Sequence, residues 1–115
     1  MSVKVSIQAP LAHYQWGDGC DGWNFVEEST LSVKQERMPA GTSEVLHYHQ
    51  HAQQFFFILK GSAIFEIEDE RIIVHEMEGI HIPAGKQHRI INHTTSAIEF
   101  ILSSQPSTMG DRVNL

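Results

Sequence analysis

Phe55-Phe56-Phe57-Ile58-Leu59-Lys60-Gly61-Ser62-Ala63-Ile64-Phe65-Glu66-Ile67-Glu68-Asp69-Glu70-Arg71-Ile72-Ile73-Val74 carries the pattern of successive β-strands. Phe55 to Leu59 is a continuous apolar run of buried-strand length, far too short for a membrane helix. Lys60-Gly61 turns the chain. In the next segment Ala63, Phe65 and Ile67 alternate against Ile64, Glu66 and Glu68, the period of a strand with two different faces. Asp69-Glu70 marks a hairpin tip, and Ile72 to Val74 return from it.

The same rhythm continues outward. Downstream, Ile80-His81-Ile82, His88 to Ile91 and Ala97 to Leu102 read as strands; upstream, Val45 to His51 and Leu31 to Met38 do, the latter closed by Pro39-Ala40-Gly41. Val3, Val5 and Ile7 alternate with polar neighbours and predict a further short strand ended by Pro10. The segment from Trp16 to Trp23 is dense in Gly and Asp and predicts a packed loop. Ser103 to Leu115 has no apolar period and predicts a tail. No window carries the i, i+3, i+4, i+7 spacing of a helix. Short strands with recurrent turn signals predict one all-β domain, a sandwich or barrel, over residues 1–115: strand and loop in 1–30, the barrel in about 31–102, the tail in 103–115.

A chain of 115 residues suffices for one core. Hydrophobic residues make up 41% and charged residues 19%, which argues against disorder and against a coiled coil. Net charge is −6 with no basic run, so neither nucleic acid nor an anionic membrane is expected as a partner. Cys20, the only cysteine, excludes an internal disulfide and a cysteine-based zinc site. With no signal-peptide pattern at Met1-Ser2-Val3-Lys4, the expected setting is the reducing cytoplasm.

Eight histidines stand out. His47 and His49 flank Tyr48, and residues two apart on a strand share a face, so both imidazoles project together. Neutral imidazole is the commonest metal ligand. Gly41, Gln54 and Gly61 surround this pair, and Pro83, Gly85, His88 and Asn92 follow. The two segments resemble the paired motifs of the cupin superfamily. The first has the form G-x5-H-x-H-x4-E-x6-G, met by Gly41, His47, His49 and Gly61, with Gln54 in the place of the glutamate. The second has the form G-x5-P-x-G-x2-H-x3-N, met by Pro83, Gly85, His88 and Asn92, with Met77 replacing its first glycine and Gly79 placed to take over that backbone freedom.

The resemblance covers about Leu31 to Leu102. It implies a double-stranded β-helix, the jelly-roll cupin barrel, whose bore holds one divalent ion on His47, His49, Gln54 and His88. In the other reading of Gln54 its amide bonds to the barrel wall and three histidines bind alone; Gln53 is the register alternative. Imidazole nitrogens with an amide oxygen suit Fe, Mn, Ni, Zn or Cu. His51 reads as a solvated strand end or a rim ligand, His81 as a strand residue of undecided facing, and His13, His75 and His93 as surface. Asp111-Arg112 reads as a solvated pair or a contact to a partner subunit. The implied function is a metal-dependent enzyme on a small polar or sugar-like molecule in the bore, with dioxygenase, isomerase or lyase-like chemistry. The alternative is a non-catalytic metal-assisted sensor, favoured by the lack of an obvious acid–base pair beside the ligands. A homodimer is expected, because a small jelly roll leaves sheet edges to cover, and Val3-Val5-Ile7 is suited to a neighbour's sheet.

Overall fold

A computed structural model describes residues 2–115. Eleven strands and no helix make up the described residues: β1 (Ala12–Trp16), β2 (Cys20–Glu28), β3 (Leu31–Met38), β4 (His47–His49), β5 (Gln53–Lys60), β6 (Ala63–Ile67), β7 (Glu70–Val74), β8 (Gly79–Ile82), β9 (His88–Ile91), β10 (Ile98–Gln105) and β11 (Arg112–Asn114). They form two antiparallel sheets, in the orders β1-β2-β3-β10-β5-β8 and β11-β4-β9-β6-β7, that enclose the core as a jelly-roll barrel.

The decisive stretch folds as it reads. Phe56 and Ile58 of β5 point inward while Phe55 faces out, 43% exposed. On β6, Ala63 and Phe65 are buried against Ile90, Phe56 and Phe100, with the Phe56 ring centred 5.0 Å from Phe65 and 5.6 Å from Phe100. Each such side chain contributes about 1.5–3 kcal/mol on burial. The hairpin tip falls one residue earlier than expected: Ile67 pairs with Glu70, so Glu68-Asp69 forms the turn and Glu68 takes a left-handed φ of 52°.

Both ends of the chain depart from the sequence reading. No strand forms at Val3 to Ile7; Ser6 and Ala9 exchange backbone hydrogen bonds in a turn ahead of Pro10, and Val3 is 69% exposed. The segment from Trp16 to Trp23 is not a loop but a hairpin. Gly17 and Gly19 take φ of 51° and 74°, which closes a three-residue turn and lets Trp16 pair with Cys20. The expected tail instead completes the barrel: β10 runs on to Gln105, and β11 pairs Asn114 with His47 and Arg112 with His49.

Candidate metal centre

Strand alternation on β4 buries His47 and His49 on the inward face and leaves Tyr48 partly exposed between them. His88, at the start of β9, is the cross-strand partner of His47. The turn that delivers it is fixed by Gly85, whose φ is 83° and whose N–H donates to the His49 carbonyl at 2.8 Å. The three imidazoles offer nitrogens within 4.8 Å of one another, all from buried residues.

Hydrogen bonds set the direction of two rings. His47 Nδ1 donates to the Val45 carbonyl and His88 Nδ1 to the Lys86 carbonyl, each at 2.8 Å, which leaves both Nε2 atoms with a free lone pair. His49 keeps a buried Nδ1 without a partner among the described residues. Burial pushes all three imidazoles down to about 4, and neighbouring positive groups add to the effect, so the cluster is neutral at pH 7.

Gln54 is inward-facing and buried on β5, whereas Gln53 faces out. The Gln54 amide donates to Ser104 Oγ at 3.1 Å, and its Oε1 lies 3.1 Å from His88 Nε2. Both of those facing atoms carry lone pairs. Lone pairs facing each other at that distance are brought together favourably by a cation between them. The donor set therefore fits a divalent ion, which would reconcile the contact and meet the unpartnered His49 nitrogen.

The remaining sequence candidates sort cleanly. His81 faces out, its Nε2 2.9 Å from Gln53 Oε1. His51 is exposed, as are His13, His75 and His93. Asp111 is neither a solvated group nor free for a partner: it is buried and accepts from the backbone N–H of His51 and Ala52, while Arg112 Nη1 pairs with Glu44 at 3.3 Å. Met77 itself adopts the left-handed conformation, φ 64°; Gly79 does not take that role but lies under the Phe55 ring, where a Cβ would come within 2.4 Å. Asn92 is buried and ties its loop together by donating to the Met38, Pro39 and Ser96 carbonyls.

The sequence reading missed half of the site. A cavity of about 250 Å³ opens beside the histidines, and Tyr14, Trp16, Lys34 and Glu36 line it together with His47, His49 and Gln54. Tyr14, Gly22 and Glu36 are cross-strand neighbours on β1, β2 and β3. The Tyr14 ring lies where a Gly22 Cβ would be, 2.0 Å away, and its hydroxyl donates to Glu36 Oε2 at 2.5 Å. Burial raises Glu36 to about 7 despite that hydrogen bond, and the same burial raises the Tyr14 phenol. A signal existed in β3, whose inward positions are Ser32, Lys34, Glu36 and Met38 while Leu31 is 39% exposed.

A family model described as a cupin domain matches residues 34–104, more than half of the chain. An uncharacterized protein of Methanocaldococcus jannaschii is 25% identical over 83 residues, covering 72% of this chain and 66% of that protein. The chain thus spans just under two thirds of that relative, and less than half of three other curated proteins it matches. The solved structure of a Streptomyces PAC13 variant with uridine superposes with a TM-score of 0.82 at 12% identity, over 100% of this chain and 92% of that one. A Silicibacter pomeroyi structure described as a sugar phosphate isomerase from a cupin superfamily gives 0.75 at 15% identity, over 91% and 76%. These structural likenesses show the fold.

Proposed function

The chain belongs to the cupin domain family, and we propose that it is a divalent-metal-binding cupin enzyme acting on a small polar or sugar-like molecule held in its bore. His47, His49 and His88 would hold the ion, with the Gln54 amide oxygen as fourth ligand. The observation that carries this reading is the approach of Gln54 Oε1 to His88 Nε2 at 3.1 Å inside a buried, neutral imidazole cluster. Fe, Mn, Ni, Zn or Cu suits such donors. The ion, when bound, supplies positive charge that polarises a ligand oxygen.

Of the chemistries open to the family, isomerase- or lyase-like proton transfer suits this chain best, because Glu36 and Tyr14 share the cavity with the histidines. A sensor needs no such pair. The neighbours described with uridine and as a sugar phosphate isomerase support a small hydroxylated ligand. A homodimer in a reducing cytoplasm completes the proposal, supported by Leu31 and Phe55 exposed on the outer sheet face and by the free thiol of Cys20. Metal content of untagged protein, followed by turnover of sugar acids and sugar phosphates with each metal restored, tests it. Metal-free protein that takes up none of the five ions would refute the metal reading, and a loaded protein without turnover would refute the enzymatic one.

A further inference from the structure

Two donors lining the cavity are left without an acceptor. Trp16 Nε1 is buried without a partner. A buried N–H in that state costs about 1–3 kcal/mol unless something accepts from it. Lys34 Nζ sits 5.5 Å above the Tyr14 ring and has no carboxylate within 4.0 Å among the described residues. The histidine cluster awaits a cation, which would itself attract an anion. Glu36 is the complement: one oxygen accepts from Tyr14, and the other accepts no hydrogen bond from the described residues. Lys34 and Glu36 lie two apart on the inward face of β3, Tyr14 and Trp16 two apart on β1, and all four line the same cavity. Its volume of about 250 Å³ corresponds to roughly eight waters at about 30 Å³ each, the size of a small organic acid.

We propose that this wall is the acid–base and anion-recognition half of the site, in which Glu36, positioned by Tyr14, exchanges a proton with a small keto acid whose carboxylate is held by Lys34 and Trp16. The inference rests on the proposed metal reading for what holds the ketone end. Glu36, as carboxylate, takes a proton from the carbon next to the ketone. The C–H electron pair becomes the C=C bond of an enolate and the carbonyl π pair moves to oxygen. The proton on Glu36 exchanges with solvent, and transfer of a proton from Glu36 back to carbon closes the cycle, with no net oxidation and no co-reactant. Burial places Glu36 near 7, where a proton can be both taken and returned at neutral pH. The groups that set this poise are Tyr14 from β1, Lys34 from β3, Glu44 ahead of β4 and Arg112 from β11; β2 and β10 bring only Gly22 and Phe100 opposite Glu36.

Two readouts test the proposal. Infrared spectra of metal-free protein are expected to show protonated-carboxyl absorption titrating near pH 7 from Glu36 and from Glu44, which burial also raises to about 7; the Glu36 component is lost in Glu36→Gln, persists in Glu44→Gln and shifts in Tyr14→Phe, a change that a packing role for Tyr14 alone would not produce. Deuterium uptake from D2O into pyruvate, 2-oxobutyrate and 2-oxoglutarate is then followed by mass spectrometry, with metal content measured on each sample. Exchange is expected for at least one acid, reduced about 100-fold or more in Glu36→Gln at unchanged metal content. Lys34→Met is expected to raise KM with little change in kcat. No exchange by fully metal-loaded protein, or equal exchange by Glu36→Gln, overturns this proposal alone; failure to load metal overturns the metal reading instead.

Discussion

Gln54 Oε1 stands 3.1 Å from His88 Nε2, although the proton of that ring is already committed through Nδ1 to the Lys86 carbonyl. In the proposed site the neutral glutamine would occupy a ligand position and leave the ion's charge uncompensated. Gln54→Glu is expected to hold the metal more tightly and to make a bound water less acidic, read by chelator competition and by the pH dependence of the metal's absorption spectrum. Unchanged retention would assign Gln54 to the barrel wall, consistent with its bond to Ser104 Oγ, and leave three histidines as ligands.

Burial pushes His47, His49 and His88 down to about 4, so proton competition for the metal sets in well below the ordinary imidazole range near 6.5. Metal is expected to be retained at pH 6 and released on approach to pH 4. The metal-free protein is expected to follow the linked effect: neutral histidines favour the folded state fully above pH 6.5, and that stability is lost as pH falls toward about 4. Urea midpoints across this window check the sign; a midpoint that rises toward low pH would contradict it.

Gly22→Ala places a methyl group inside the Tyr14 ring, since the Cβ would fall 2.0 Å from it. The ring must move off Glu36. A loss of about 1–3 kcal/mol is expected, together with a shifted Glu36 carboxyl band; a crystal structure with Tyr14 undisturbed would contradict the account.

Asp111→Ala removes the acceptor for the His51 and Ala52 backbone donors. The expected cost is about 1–3 kcal/mol, because the Ala52 donor is buried. Burial acts to raise Asp111, but the two backbone donations outweigh it and hold the carboxylate below its ordinary value. Its stabilisation is thus present at neutral pH and lost on acidification; an unchanged urea midpoint at pH 7 would refute this role.

The barrel was legible because β5, β6 and β7 bury apolar side chains at strand spacing, and the histidines because alternation and the paired motifs agree. The ends were not. At Val3 to Ile7 the alternation is genuine, yet Ser6 and Ala9 close a turn on themselves. At Trp16 to Trp23 the glycines that suggested a loop serve instead as a hairpin turn and as room for Tyr14. On β3 the strand was legible but its facing was not: the inward face carries Lys34 and Glu36, and Leu31 is exposed. Those polar residues line the cavity of about 250 Å³, where the Tyr14 hydroxyl donates to Glu36.

Whether the histidine cluster holds one divalent ion is read from the metal stoichiometry of untagged wild-type and His49→Ala protein, loaded side by side at pH 7.5. One equivalent is expected in wild type and almost none in His49→Ala, because two imidazoles and an amide make a poor site. If His49→Ala holds its metal as tightly as wild type, the ion is bound elsewhere and the account fails.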